Sequence, residues 1–410
     1  MSNVPAAISG CGHRRPCVLI DTQSDLDHRP NATTAEAVTS EGRAIEVSFE
    51  LADPPRVPRC FVHCPGLRKN SFGSDPRILS STDSFVLIVV PFACNAQRRD
   101  PSSYYDSSDL FVYRAGPGSP SLHLIPRPYP RHVDFNMVAV IPLRRHGASY
   151  HWHYAVVIPV RHYADGASSD RYVVHTYRSD SLAWRTNTAR ISKDAETDHD
   201  KLMRHECTRV MSAGGGLVGL VDLWWGVLLC NVLDKDPVLR LIQWPVPLPR
   251  NLLSGSRDID TISARPFRDV AFNNGVIRFV ELKFHHCCRC SCNNGGGFFR
   301  GWTATTWSRR ICSKDWHNGF TVDMANISGL LLPKVLKEKT LTWNKVLSAS
   351  PTLSLSEDDV VYIMAKLNVQ DEVAWVLAIN TREGKLERVA QCSAKRMGIG
   401  LDLTYVSWIV

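Results

Sequence analysis

The chain has 410 residues, of which 44% are hydrophobic and 21% charged, and its formal net charge is +8. These values exclude an intrinsically disordered or collagen-like chain and leave room for one large all-β domain or for two to three smaller ones. The positive charge comes from scattered arginine pairs, such as Arg98-Arg99, Arg144-Arg145 and Arg309-Arg310, rather than from one basic block, which disfavours a nucleic-acid partner.

The N-terminal 16 residues do not resemble a secretory signal, because their arginines follow a weakly apolar stretch instead of preceding it. We expect residues 1–16 to be disordered. The longest apolar run, Phe85 to Cys94, is too short to cross a bilayer and contains a proline. The sequence therefore predicts an intracellular protein, cytoplasmic or nuclear, that does not enter a membrane and keeps its 13 cysteines mostly as reduced thiols.

The first predicted elements are short strands separated by turn residues. Arg43 to Ala52 alternates apolar and polar residues with period two, as a half-buried strand does. The run from Phe85 is continuously apolar, which is typical of a strand buried on both faces. Asp109 to Ile125 reads as a strand, a Gly-Pro-Gly turn and a second strand, and therefore predicts a hairpin.

The same pattern continues to the end of the chain. Val227 to Leu233 and Val238 to Ile242 flank a polar turn, as do Trp375 to Asn380 and Lys385 to Val389, so each pair predicts an antiparallel hairpin. The segment Asp198 to Met211 has both helical and strand signals, so the sequence does not decide between a helix and a strand there. Tryptophans recur through the chain and would fill the space between sheets, namely Trp184, Trp224, Trp225, Trp302, Trp307 and Trp375.

Repeated hairpins over such a length favour a sandwich or a propeller, because one open sheet of so many strands would leave unstable edges. A propeller fits best, since its four-stranded blades need a long chain. The predicted fold is mainly β, built from antiparallel sheets and β-propeller-like, and it occupies residues 17–410 as one domain.

The stretch "HHCCRCSCNNGGGFF", which begins at His285, is the most conspicuous candidate for a metal site. Its cysteines are too closely spaced for one tetrahedral ion to take all of them without strain. A C-x-x-C pair is present, and Cys312 or His317 would have to complete the site from downstream. The favoured interpretation is a loop between two strands without a metal, and the residues that a metal would use are His285, His286, Cys287, Cys290 and Cys312.

Two other patterns indicate a binding site more weakly. The run "GGGLVG" from Gly214 to Gly219 matches a dinucleotide-binding spacing, but an apolar strand follows it where a helix is required, so a tight loop is the better interpretation. In "YHWHY", His151 and His153 share one face of a strand, yet no third ligand lies nearby in the sequence. We therefore expect no cofactor and no metal.

The chain shows no nucleophile elbow, P-loop, zincin helix or kinase signature. Without such a constellation, catalytic residues cannot be named from the sequence, and an enzyme is the less favoured class. The enzyme that remains open as an alternative would act on a small metabolite in a loop-lined channel.

Several segments together resemble the plant proteins grouped under domain of unknown function 1618, which are abundant in grasses. The segments are "DPRILSSTDSFVLIVV", "GGGLVGLVDLWWGVLLCNVLDKDPVLRLIQWPVPLP", "RPFRDVAFNNGVIRFVELKF", "GWTATTWSR" and "LSEDDVVYIMAKL". They occur in the expected order, and the resemblance places the named domain at about residues 219–367. It also places the stretch that begins at His285 in a linker between two strand motifs.

The resemblance implies a β-propeller-like fold of the kind that accompanies F-box proteins, and it supplies no catalytic residues. The chain lacks recognisable F-box helices at its N-terminus, so a ubiquitin-ligase role is not implied. Together with the predicted rigid β scaffold, the resemblance leads us to expect a non-catalytic protein that binds a macromolecular partner, most simply another protein.

Overall fold

A computed structural model describes most of the chain. The described residues are 17–93, 107–116, 119–127, 129, 134–143, 153–162, 171–192, 202, 204–248, 263–286, 299–328, 346–368, 370–393 and 403–407. Within these ranges the protein is mainly β. No helix in them has the length and apolar character that crossing a membrane requires.

The N-terminal region contributes five strands, which are β1 (Cys17–Asp21), β2 (Asp25–Leu26), β3 (Ala35–Val38), β4 (Ala44–Phe49) and β5 (Cys60–His63). Four of them form a sheet in the order β2-β5-β4-β3. The pairing of β2 with β5 is parallel, and the other two pairings are antiparallel. In β4 the alternating residues Ile45, Val47 and Phe49 are buried, which confirms the period-two pattern of this segment.

The next four strands form an antiparallel meander, with β6 (Arg77–Thr82), β7 (Phe85–Pro91), β8 (Ser108–Arg114) and β9 (Ser121–Leu124). Every residue of β7 is buried, as its continuous apolar sequence predicts. The strands β8 and β9 pair antiparallel and confirm the predicted hairpin.

Two further four-stranded meanders share one sheet of eight strands, which are β10 (Ala139–Leu143), β11 (His153–His162), β12 (Arg171–Arg178), β13 (Ala183–Ile191), β14 (Arg209–Gly214), β15 (Leu217–Asp222), β16 (Gly226–Asn231) and β17 (Val238–Gln243). They are joined by a short parallel contact in which Arg190 and Ile191 of β13 face Val238 and Leu239 of β17. All other pairings in this sheet are antiparallel.

The last large sheet also contains two groups of four strands, which are β18 (Arg268–Asn273), β19 (Val276–His286), β20 (Phe299–Arg310) and β21 (His317–Asp323), followed by β22 (Leu347–Leu353), β23 (Val360–Lys366), β24 (Val373–Asn380) and β25 (Lys385–Ser393). Their contact is short, because only Phe299 and Arg300 of β20 pair with β22. The strand β19 ends at His286 and therefore includes the two histidines that open the cysteine-rich stretch.

The four-stranded groups follow one another as the blades of a propeller do. The first strand of each group packs against the first strand of the next, from β6 to β10, β14, β18 and β22. A final strand, β26 (Leu403–Ser407), pairs antiparallel with β1 and packs against β6. The described residues thus contain six four-stranded groups and a closing pair of strands, which confirms the predicted mainly β, antiparallel and propeller-like fold.

The spaces between the groups are filled by apolar cores, in which the tryptophans have the predicted role. Trp224, Trp302 and Trp375 are buried in the largest core, and Trp225 and Trp307 pack against it. This core joins the last three groups of strands. The predicted disordered segment, residues 1–16, lies outside the described residues, whereas Arg209 to Met211, at the end of the segment left open, belong to a strand.

Candidate functional site

The predicted metal stretch begins at the end of β19, and only part of it is described. Nε2 of His285 lies 2.9 Å from Oγ1 of Thr303 and 3.8 Å from a carboxylate oxygen of Asp323. The side chain of His286, together with Cys287 and Cys290, lies outside the described residues. The described contacts of His285 are therefore a hydroxyl and a carboxylate on the neighbouring strands β20 and β21.

The downstream candidates lie at the opposite end of the β19–β20 hairpin. Phe284 pairs with Trp302, while Val276 pairs with Arg310, so Cys312 follows the end of β20 that is remote from His285. A rise of about 3.3 Å per residue separates the two ends by about 30 Å. His317 pairs with Ser308 and lies toward the same remote end. The structure thus brings neither Cys312 nor His317 to His285.

The glycine run at Gly214 forms the turn between β14 and β15. Gly214, Gly215 and Gly216 all have positive φ angles, of 85°, 62° and 86°, which glycine adopts without steric strain. The chain then continues directly as β15, so the segment is a hairpin turn followed by a strand, as the tight-loop interpretation predicts. Of the two histidines of "YHWHY", His153 pairs with Leu143 in β11, and His151 lies outside the described residues.

A charged cleft lies on the N-terminal sheet, where β2, β4 and β5 meet, and has a volume of about 330 Å³. Six of its eight lining residues are charged, and the full set is Asp25, Leu26, Asp27, Arg29, Glu50, Arg59, Phe61 and Lys69. The ring of Phe61 is almost fully buried beneath this polar rim. Sites for small ligands are usually lined by apolar side chains. This charged cleft therefore fits the polar, charged surface of another molecule better than it fits a small ligand.

Ion pairs hold the rim of the cleft in place. Arg59 bonds Asp25 at 2.8 Å, and Nε of Arg29 bonds Asp27 at 2.8 Å. The hydrogen bond from Arg29 lowers the pKa of Asp27, which keeps this carboxyl ionised. The side chain of Lys69 is 77% exposed and lies 3.9 Å from Asp75, so it retains freedom to contact another charge.

Beside the cleft, three side chains with metal-binding atoms converge, two from the adjacent strands β4 and β5 and one from the segment that follows β2. Glu46 of β4 is the direct cross-strand partner of His63 at the end of β5. His28 follows β2, the strand on the other side of β5, and its Nε2 lies 3.1 Å from a carboxylate oxygen of Glu46. The rings of His28 and His63 are 4.4 Å apart between centroids. One ligand atom of each of the three residues lies within 4.8 Å of the others.

Sequence reasoning missed this cluster because its members are 17 and 18 residues apart and form no short motif. The alternation of the segment from Arg43 did place Glu46 on the polar face of its strand. What the sequence did not contain was the pairing of β5 with both β2 and β4, which brings His63 between His28 and Glu46.

Comparisons with solved structures give distant similarities. The chain is similar to the WD40 domain of SCAP from fission yeast, at 10% identity over 88% of this chain and 74% of that chain, with a TM-score of 0.32. It is also similar to the Trypanosoma rangeli sialidase in complex with the inhibitor DANA, at 11% identity over 88% of this chain and 57% of that chain, with a TM-score of 0.30. These scores support no argument about function, and no curated protein matches the chain.

A family model matches the central part of the chain. The matched residues, 221–362, run from the end of β15 into β23 and fall inside the boundaries 219–367 that the sequence motifs predicted. The family is described as "Protein of unknown function (DUF1618)", and this match supports the family that the motifs resemble.

Proposed function

We propose that this protein is a non-catalytic β scaffold that binds a protein partner, and that the charged cleft of the N-terminal sheet is its contact surface. The observation that carries the proposal is the composition of the cleft, a rim of charged side chains of both signs around the buried ring of Phe61. Phe61 closes the floor of the cleft, and the apolar surface that a partner could cover is that of Leu51 beside Glu50, which gives the combination of apolar contact and polar rim found in protein interfaces.

Exposed groups around the rim support this role. The side chains of Arg29 and Lys69 are 66% and 77% exposed, and Leu51, which follows Glu50 of the rim, is 57% exposed. A partner segment that carries acidic residues beside an apolar one would pair with the two cations and cover the leucine. Because the rim is held by ion pairs within the sheet, little reorganisation is needed on binding.

Following the family resemblance, the proposal includes a plant origin, relatives of the F-box-associated kind and an intracellular location, cytoplasmic or nuclear. Imaging of the tagged full chain in plant cells tests the location. An enzyme that acts on a small plant metabolite is the alternative, and metabolite screening becomes the next step if no partner is found.

Affinity purification from grass tissue with nuclease treatment tests the proposal. The double variant Arg29→Glu with Lys69→Glu reverses the two exposed charges of the rim. Arg382→Glu with Lys385→Glu makes the same change in charge on another sheet and serves as the matched control. We expect a stoichiometric protein partner with the wild-type chain and the control, and its loss with the rim variant.

Two results would contradict the proposal in different ways. A partner that the rim variant retains would exclude the cleft as the contact surface. The absence of any stoichiometric partner from the wild-type chain would exclude the binding role itself. A partner that disappears on nuclease treatment would indicate nucleic acid, for which steep salt dependence of binding would be the second sign.

A further inference from the structure

The cluster of His28, Glu46 and His63 contains the donor atoms of a three-ligand metal site. Two imidazole nitrogens and one carboxylate oxygen form a ligand set that zinc uses when one coordination position remains open. Glu46 and His63 lie on the paired strands β4 and β5, and His28 lies two residues after β2, which pairs with the other edge of β5, so the backbone hydrogen bonds of the sheet fix two of the three positions directly. Sites on regular elements keep their geometry better than sites on loops.

The distances fit an ion of this size. In a tetrahedral zinc site, with bonds of about 2.0–2.2 Å, neighbouring ligand atoms lie about 3.3 Å apart. Nε2 of His28 and the carboxylate of Glu46 are already 3.1 Å apart, and no donor is more than 4.8 Å from another.

A simple surface ion pair between His28 and Glu46 does not account for the second histidine. His63 is placed opposite Glu46 by the strand register, and its ring packs 4.4 Å from the ring of His28. An ion pair with the carboxylate of Glu46 requires one imidazole, and two are present beside it. They match the preference of imidazole for zinc and its neighbours among the divalent transition metals.

We propose that His28, Glu46 and His63 bind one divalent transition-metal ion of the zinc class, with a coordination position left open to solvent. A fourth position would be open because three donors converge among the described residues. It would face solvent because the side chain of His28 is 52% accessible. His28 lies between Asp27 and Arg29 of the cleft rim, so the ion would lie beside the cleft. The proposal goes beyond the partner-binding role and does not depend on it.

Titration of the full chain with Zn²⁺ in a calorimeter, after removal of metal with a chelator, tests the proposal. The stretch after His286 carries four cysteines that would also bind Zn²⁺, so the measurement uses a background in which Cys287, Cys288, Cys290 and Cys292 are replaced by serine. In this background we expect one equivalent of Zn²⁺ to bind and to raise the Tm.

Single variants then assign the ligands. His28→Asn, Glu46→Gln and His63→Asn each remove one donor, and we expect each to raise the Kd for Zn²⁺ by at least about 100-fold, since loss of an outer-shell partner alone costs 10–100-fold. His317→Asn, which changes an exposed histidine on β21, is the matched control and should leave the Kd unchanged. Circular dichroism without metal confirms that each variant is folded.

Co²⁺ provides a second readout that identifies the donor type. Nitrogen and oxygen ligands give weak visible bands, whereas thiolate ligands add strong near-ultraviolet charge-transfer absorption. We expect bands without thiolate absorption, and their loss in the three variants. Zn²⁺ binding that none of the three substitutions weakens, or the absence of stoichiometric binding in the serine background, would overturn the proposal.

Discussion

At the scale of single residues, Arg268 carries a fully buried charge. Its side chain is fully buried and bonds Glu281 at 2.5 and 2.8 Å. It also donates to the backbone carbonyls of Leu223, Trp224 and Pro247, at distances of 2.8–3.3 Å. The guanidinium therefore ties β18 and β19 to the segments on either side of the β16–β17 hairpin.

Removing this guanidinium should be costly, because the carboxylate of Glu281 would lose its charged partner inside the protein. We expect Arg268→Ala to lower the free energy of unfolding by about 3–5 kcal/mol in urea denaturation. Arg43→Ala, which breaks an exposed pair with Glu41, should change it by less than about 1 kcal/mol. The double variant Arg268→Met with Glu281→Leu should lose less than the single variant, and an equal or greater loss would contradict this account.

His205 gives the stability of the protein a dependence on pH. Its side chain is fully buried, and burial, reinforced by the charge of Arg161, lowers the pKa of His205 from 6.5 to about 4. Between these values the unfolded chain binds a proton that the folded protein does not bind. Stability is therefore lost as the pH falls from about 6.5 toward 4, with a loss of about 2 kcal/mol at pH 5.

Urea denaturation at about pH 7.5 and pH 5 tests this prediction. Other groups also titrate in this range, so the informative quantity is the difference between the wild-type protein and His205→Gln. We expect the variant to lose about 2 kcal/mol less than the wild type on acidification. The same loss in both proteins would show that His205 is not the group responsible.

At the scale of elements, the close approach of two sheets depends on Gly219 in β15. A Cβ atom at this position would lie 2.8 Å from Cζ of Phe272 in β18 and 2.9 Å from Cγ2 of Val227 in β16. Because Val227 is fully buried, the added methyl group cannot be accommodated without moving packed neighbours. The absence of a side chain thus sets the distance between two neighbouring groups of strands.

We expect Gly219→Ala to lower the free energy of unfolding by about 1–3 kcal/mol, which is the usual cost of overfilling a packed core. Ser212→Ala, a change of similar size on the half-buried face of the neighbouring strand β14, should remain within about 0.5 kcal/mol. Thermal unfolding of both variants provides the measurement. A Gly219→Ala protein as stable as the Ser212→Ala protein would show that the sheets can move apart freely.

The hairpins were predictable from the sequence, because alternation and turn residues act over a few positions. The pairs β8–β9, β16–β17 and β24–β25 all formed where the pattern placed them. The parallel contacts β2–β5 and β13–β17 were not predictable, since they join strands that no short turn connects. The candidate metal site depends on the β2–β5 contact, so the sequence alone did not reveal it. The cysteine-rich stretch was the candidate that the sequence did indicate, because its residues are adjacent along the chain.

At the scale of the whole molecule, β1 joins the beginning of the fold to its end. Its backbone pairs with β26, and the buried side chains of Leu19 and Ile20 face different cores. Leu19 packs in a core with Ala349, Tyr362 and other residues of the last group of strands, whereas Ile20 packs with the N-terminal sheets. The strand β1 therefore contributes both to the core of the last group of strands and to the core of the N-terminal sheets.

Truncation of Leu19 should weaken the packing of β1 against the last group of strands. We expect Leu19→Ala to lower the free energy of unfolding by about 2–5 kcal/mol, the usual cost of removing a fully buried leucine side chain. Leu51→Ala, at a position 57% exposed, should have little effect. Hydrogen exchange followed by mass spectrometry should show faster exchange in both β1 and β22–β24 of the Leu19→Ala protein, and a change confined to β1 would contradict the coupling.

The pairing of β1 with β26 also determines when the protein can finish folding during its synthesis. The paired residues are more than 380 positions apart, so β1 leaves the ribosome long before its partner exists. Until the last group of strands has followed, Leu19 lacks the core in which it packs, and until β26 exists β1 must remain unpaired or find another edge. Nascent chains that stop short of β26 should therefore depend on chaperones, even though each hairpin within them is local and fast to form.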